Sequence, residues 1–250
     1  MKPPRLEYHA PATIEEACEL LGSLEDAKVL AGGQSLIPLL NFRLARPAHL
    51  IDINRLGGLE AIYERDGGVA VQALARQAAV EDSDVASRAC PLLVSAVRLV
   101  AHRVIRNRGT VCGSIAHADP ASELPAVLLA LGGHVIARSS RGDRVIDAGD
   151  LFKGVFETAL EPDELLVEAW FPASAGAFAI VEESRRHGDF ALAGVVRALD
   201  RLALFGVAPT PVLADPADPV RGLQPSGDLE ATPEFRLHLV RVMAEKVFAA

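Results

Sequence analysis

Two short segments built from small residues carry the chemistry that this chain can do. The first is Ala31-Gly32-Gly33-Gln34-Ser35, directly after the apolar pair Val29-Leu30. The second is Thr110-Val111-Cys112-Gly113-Ser114. Each puts glycines and hydroxyls where a strand would end. Backbone N–H groups are free at such a place, and an anion can approach without meeting a Cβ. One such loop is a common turn. Two of them, each with Ser or Thr donors, suggest one extended, doubly charged ligand held from both sides. A dinucleotide pyrophosphate has that shape and charge, and N–H groups with hydroxyls can neutralise it without a lysine.

Composition narrows the classes. The chain has 250 residues, half of them hydrophobic, so it can bury a real core as one large or two small domains. Net charge is −8 and there is no basic tract, which argues against nucleic-acid binding. No apolar run approaches the length of about 18 residues expected of a membrane span. Met1-Lys2-Pro3-Pro4 and the residues after it lack a signal-peptide core, so a cytoplasmic protein is expected. Cys18, Cys90 and Cys112 are odd in number and widely spaced, which disfavours disulfides. They are also too few for an iron–sulfur cluster, so any cluster must lie on another chain. The histidines show no metal-ligand spacing.

The elements that must position the two segments can be read from pattern. Thr13 and Glu16 have capping-box spacing ahead of a helix that Gly22 should end. Residues 29–31 and 50–53 read as strands and 35–44 as a helix, so 1–55 forms a strand-helix-strand-helix-strand unit. Asp66-Gly67-Gly68 and Arg141-Gly142 mark hairpins, over 61–73 and 135–147. Residues 91–101 read as a helix. Ser122 should cap another, running to Leu131 with Gly132-Gly133 at its end. A strand over 165–171 closes this second unit. Residues 173–177 read as a linker. Strands over 178–181, 191–199 and 202–207 follow, then a Pro-, Asp- and Gly-rich loop over 209–226, and a final helix from Thr232-Pro233-Glu234.

These stretches resemble the FAD-binding medium subunits of molybdenum hydroxylases, among them the flavoprotein of carbon monoxide dehydrogenase and the flavin domain of xanthine dehydrogenase. The resemblance rests on residues 31–38, on Ile105-Arg106-Asn107-Arg108-Gly109-Thr110, and on Asp119-Pro120 with Glu123-Leu124-Pro125. It continues through Asp163-Glu164-Leu165-Leu166 and through Arg185 to Ala191, in the family's order. Departures are Cys112 and Ser114, in place of the commoner glycine and asparagine, and Val181-Glu182-Glu183, where a lysine is often found.

The resemblance implies an α+β architecture. A two-subdomain FAD-binding fold of the vanillyl-alcohol-oxidase type would occupy 1–173, with subdomains of about 1–55 and 56–173. A small α+β C-terminal domain would occupy 177–250. FAD would lie between the two α/β units with its ring toward the C-terminal domain. Its pyrophosphate maps onto Ala31, Gly32, Gly33, Gln34 and Ser35, flanked by Leu30 and Leu36. Thr110, Val111, Cys112, Gly113 and Ser114 would run close to pyrophosphate and flavin, with Ala101 and His117 nearby. Glu123 stands where the family usually has aspartate and would accept hydrogen bonds from FAD hydroxyls, or serve simply as a first-turn carboxylate. Leu166 maps beside the adenine, with plain core as the alternative. Phe190 maps beside the flavin, where it could stack, shield or pack as core.

The implied activity is that of an oxidoreductase subunit with no catalytic residue and no metal ligand of its own. A large subunit would carry the molybdenum-pterin cofactor and a small subunit the 2Fe–2S clusters, as a dimer of heterotrimers, with electrons leaving through FAD to an external acceptor. Two alternatives remain open at this stage. One is a free-standing FAD oxidoreductase, and the other a flavin-free structural subunit of the same assembly.

Overall fold

The computed structural model describes residues 2–249. Its first layer is a parallel sheet in which His49–Asp52 is central, flanked by Glu7–His9 and Ala27–Leu30. Helix Ile14–Ser23 covers it, burying Ala17, Cys18 and Leu21. Thr13 Oγ1 accepts the Glu16 N–H at 3.1 Å. The Glu16 carboxylate reaches back to the N–H of Ala12 at 2.7 Å, one residue earlier than a standard capping box. The helix runs one residue past Gly22. Helix Leu36–Asn41 is shorter than the apolar pattern suggests.

The second layer is a five-stranded antiparallel sheet. Its spatial order is Ile62–Arg65, Gly68–Gln72, Leu165–Pro172, His134–Ser139 and Gly142–Asp147. Two hairpins thus flank one long-range strand, Leu165–Pro172, both of whose partner strands lie earlier in the sequence. Helices Pro91–Leu99, Val111–His117 and Glu123–Leu131 share the large core of this unit. Helix Glu123–Leu131 is apolar nearly all round and buried accordingly. Gly132, at φ 71°, ends it in the left-handed cap that glycine favours. Ser122 occupies the N-cap position, but its hydroxyl makes no cap bond, unlike the role expected of it.

The third sheet is antiparallel, with Phe178–Ser184, Ala191–Ala198, Arg201–Phe205 and Val212–Ala214 in sequence order. Alternation along Ala191–Ala198 and Arg201–Phe205 sorts its faces. Ala193, Val195, Leu202 and Leu204 pack beneath the final helix, Pro233–Ala249. Val196, Ala198, Ala203 and Phe205 join the large core instead. Buried Arg236 fixes that helix by donating to the carbonyls of Leu192 and of Gly206, the latter at 3.1 Å. Among the described residues, no helix is long and apolar enough to cross a membrane.

Several short elements escape the sequence patterns. Helices Gln77–Glu81, Asp84–Ala89 and Arg103–Arg106 and the ribbon Phe152–Gly154 with Glu157–Thr158 are too short to show a period. Strand Val212–Ala214 lies within the stretch expected to be a loop. One contact gives a direct test of packing. Gly194 faces Phe205 across the ladder, and a Cβ there would fall 2.0 Å from Phe205 Cζ. Gly194→Ala is expected to cost about 1–3 kcal/mol and lower Tm by several degrees. The cost should shrink in a Phe205→Leu background. Equal Tm values for Gly194→Ala and wild type would contradict this packing.

Candidate cofactor-binding site

The two small-residue segments are neighbours in space. A Cβ on Gly32 would lie 2.4 Å from the Arg108 carbonyl oxygen and 2.8 Å from Gly109 Cα, so only glycine lets the backbones touch. Polar side chains lock this approach. Asn54 Nδ2 donates to the Ala31 carbonyl at 2.8 Å. Arg76 donates to Asn54 Oδ1 and to the Arg108 carbonyl, each at 2.7 Å. Asp52 orients Asn54, accepting from its backbone N–H at 2.9 Å. Burial opposes ionisation of Asp52, but bonds from Tyr8 and Asn54 outweigh it and hold the carboxyl below its ordinary pKa. Asn54 and Arg76 thus join the parallel sheet to the second unit.

The first segment is rich in free donors. Among the described residues, the N–H groups of Gly32, Gly33, Gln34 and Ser35 have no acceptor within the chain. Gly33 takes φ 75°, which turns successive amides toward one side. Gln34 donates its side-chain amide back to Gly32 O at 3.3 Å. Ser35 is exposed and opens helix Leu36–Asn41 without a side-chain cap bond. Arg76 stands behind this run, half-buried, and forms no ion pair among the described residues. A row of unpaired N–H groups beside an unneutralised guanidinium suits an anion.

The second segment is not the open loop that its sequence suggests. Thr110 is the N-cap of helix Val111–His117, and its Oγ1 accepts the Gly113 N–H at 3.0 Å. The Val111 N–H goes to Ala75 O at 3.4 Å and the Ser114 N–H to Thr110 O at 3.2 Å. Most of this segment's donors are therefore spent within the chain, and it contributes a close backbone surface rather than a second nest. Val111 is fully buried. Cys112 turns its thiol inward, donating to Val71 O at 3.3 Å, and burial pushes its pKa up. The bulk of Cys112 is therefore directed into the core.

The remaining sequence candidates are spread around this contact. Leu30 ends its strand, and its carbonyl accepts the Ile53 N–H at 3.1 Å. Ala101 is left-handed at φ 43°, and its carbonyl is held by buried Arg106 at 3.1 Å. Arg106 also bonds Glu81 at 3.0 Å, and Arg103 pairs with Glu81 and Asp82, so these charges are compensated locally. His117 stacks on Phe156 at 4.9 Å, and burial lowers its pKa. Leu166 is buried in the central strand Leu165–Pro172 beside Ala137, in the large core. Phe190 is 67% exposed, just before strand Ala191–Ala198. The turn preceding it rests on His102, whose ring sits 5.3 Å from that of His187.

Glu123 and Glu182 form an acidic pair at the seam between the second and third sheets. Burial raises Glu123 to about 8, and the charge of Glu182 adds to the effect. Burial raises Glu182 to about 7. Glu182 Oε2 is buried without a hydrogen-bond partner. Such an atom asks for a donor that the chain does not supply. Asn54, Arg76 and Glu182 lie outside the glycine segments and the other site residues expected from sequence. Only Asn54 carried a signal, as the residue two after Asp52 at the carboxyl end of a parallel strand, where ligands of open α/β sheets bind.

Residues 4–174 match the family described as the FAD binding domain in molybdopterin dehydrogenase. The chain belongs to this family. It is 39% identical to the alpha subunit of the 6-hydroxypseudooxynicotine dehydrogenase complex of Paenarthrobacter nicotinovorans, over 100% of this chain and 95% of that protein. It is 40% identical to the carbon monoxide dehydrogenase medium chain of Hydrogenophaga pseudoflava, over 84% and 77% of the two chains. The solved carbon monoxide dehydrogenase from that organism, in a form lacking the Mo-pyranopterin moiety, superposes with a TM-score of 0.94 at 35% identity, covering 100% and 98%. Quinoline 2-oxidoreductase of Pseudomonas putida 86 gives 0.93 at 32%, covering 100% and 97%. This FAD-binding chain is therefore a medium subunit of the molybdenum hydroxylase type, an oxidoreductase component.

The donor set fits FAD. Gly33→Asp would place a carboxylate among the free N–H groups at a left-handed position. It is expected to cut the flavin content of the purified protein by at least about tenfold. A folded variant with wild-type flavin release would move the pyrophosphate elsewhere. The carboxyl pair makes a separate prediction. Raised folded-state pKa values mean stability present below about pH 4.5 and lost as pH climbs through 7 to 8. Glu182→Gln should therefore raise the Tm of flavin-free protein at pH 8.5 by a few degrees, and by less at pH 6. A difference that does not grow with pH would refute the shift.

Proposed function

We propose that this chain is the electron-relay subunit of a molybdenum hydroxylase, taking electrons from 2Fe–2S clusters on a small partner subunit and delivering them by way of bound FAD to an external acceptor. Oxidation of the substrate belongs to a large subunit carrying the molybdenum-pterin cofactor. The assembly is a cytoplasmic dimer of heterotrimers. The observation that carries the reading is the run of unpaired N–H groups at Gly32 to Ser35 beside the unneutralised Arg76, in a chain of the FAD-binding family. The three cysteines are all buried and separate, which supports placing the iron–sulfur clusters on another chain.

Each residue then has a task in holding the ligand. Gly32 to Ser35 bind the pyrophosphate, and Arg76 supplies long-range positive charge. The helix start at Thr110 to Ser114 closes the other side. Glu123 engages ligand hydroxyls, and Leu166 packs at the adenine end. Phe190, already exposed, covers the ring against solvent. When bound, FAD supplies the exchange between single-electron and paired-electron transfer. No acid or base on this chain is required for that relay.

Co-expression with neighbouring reading frames tests the assembly. The expected result is a complex of three kinds of chain. Acid treatment should release FAD, and the iron–sulfur absorbance should belong to the other subunits. A lone chain that turns over its own substrate would reject the relay, and a colourless chain within the complex would make it structural. Phe190→Ala should keep its FAD but change flavin reoxidation severalfold in stopped-flow traces. Superimposable traces would leave Phe190 without a role at the ring.

A further inference from the structure

Away from the cofactor site, one cluster of side chains has the composition and spacing of a metal centre. Glu7–His9 is an edge strand of the parallel sheet, and Glu7 stands directly opposite His49 on the central strand. Side chains alternate along a strand, so Glu7, His9 and His49 share one face. His9 Nε2 lies 3.1 Å from His49 Nδ1, and Glu7 Oε2 lies 3.6 Å from the same nitrogen. All three atoms fall within 4.8 Å of one another. Ring centroids are 5.2 Å apart with planes tilted by 48°, so the nitrogens meet rather than the ring faces. A tetrahedral cation with bonds of about 2.0–2.1 Å needs ligand atoms roughly 3.3–3.4 Å apart. The two shorter separations bracket that value.

We infer that Glu7, His9 and His49 bind a divalent first-row transition cation of the zinc class, leaving one coordination position open to water. Two imidazole nitrogens and one carboxylate oxygen favour Zn2+, Co2+ or Ni2+. Mg2+ and Ca2+ take shells of oxygen. Without a cation, the two facing imidazole nitrogens must share a proton between lone pairs, and a cation engages both lone pairs at once. The backbone presets the geometry. The Glu7 N–H donates to Ala48 O at 2.9 Å, and the parallel pairing runs on to His9 and Ile51. The His49 side chain is 19% exposed and that of Glu7 75%, so the cluster is anchored on one side and open on the other.

This centre is distinct from the flavin site. It lies at the opening end of strand His49–Asp52, whereas Asp52 and Asn54 at the closing end hold the first glycine segment. Three residue steps along a strand span about 10 Å. A cation here would staple the edge strand to the central one. His9 and His49 are 40 positions apart, which is why spacing alone gives no sign of them.

Untagged full-length protein, as isolated with its flavin, should bind one Co2+ per chain with visible ligand-field bands that Zn2+ abolishes. Zn2+ in excess should raise Tm by several degrees over the chelator-treated sample. His9→Gln and His49→Gln should each weaken Co2+ binding by at least about tenfold, with flavin content unchanged. Glu7→Gln, at an exposed side chain, should lose affinity without any packing effect on the fold. Absence of stoichiometric Co2+ binding by wild type would overturn the assignment. So would binding that is identical in both histidine variants. Protein stripped of flavin should give the same titration, so the result stands or falls independently of the FAD reading.

Discussion

Backbone meets backbone where Gly32 touches Arg108 and Gly109, and the rest of the site depends on that contact. The parallel sheet and the second unit meet there without an intervening side chain. Asn54 and Arg76 can reach across only because the gap is that small. The same contact sets the first segment's free amides against the start of helix Val111–His117. Any side chain at residue 32 would push two carbonyl-bearing strands of chain apart, and no rotamer could relieve it. The distance between the two halves of the candidate cofactor site is thus fixed by the absence of atoms.

The electrostatics around this contact are asymmetric. One side offers amides and the guanidinium of Arg76. In the proposed placement of FAD, the other offers the acids Glu123 and Glu182, close to a ligand that would carry negative charge. Burial eases the conflict, because it raises Glu123 to about 8 and Glu182 to about 7, so that near neutral pH the pair does not carry its full negative charge. A protonated carboxyl can donate as well as accept, so it need not repel a pyrophosphate. Glu182 lies on strand Phe178–Ser184. Burial lets an acid occupy this strand without a full negative charge.

Sequence and structure agree where a pattern is long or a glycine is forced. The first unit, the two hairpins, the central strand ending at Pro172 and the last helix all follow from periodicity and turn residues. The family is legible in the same stretches, and residues 4–174 match it. The second segment has the composition of a loop, because Gly113 and Ser114 are turn residues, but Thr110 caps them into the start of a helix. Arg76 had no local mark. Its importance comes from reaching Arg108 and Asn54, contacts between positions remote in sequence. Leu166 and Phe190 illustrate the opposite limits, one sealed in the core and the other in solvent, a difference that neither residue type nor spacing encodes.

Cys112 holds a thiol within a few residues of the proposed electron path, yet it faces Val71 O in the core. Cys18 and Cys90 are likewise buried, and burial raises the pKa of all three. Thiols kept protonated and dry are poor nucleophiles toward peroxide or disulfide. A subunit that hands electrons to an outside acceptor works where partially reduced oxygen can form. The burial of all three thiols therefore makes the chain's sulfur chemically silent toward by-products of the proposed relay.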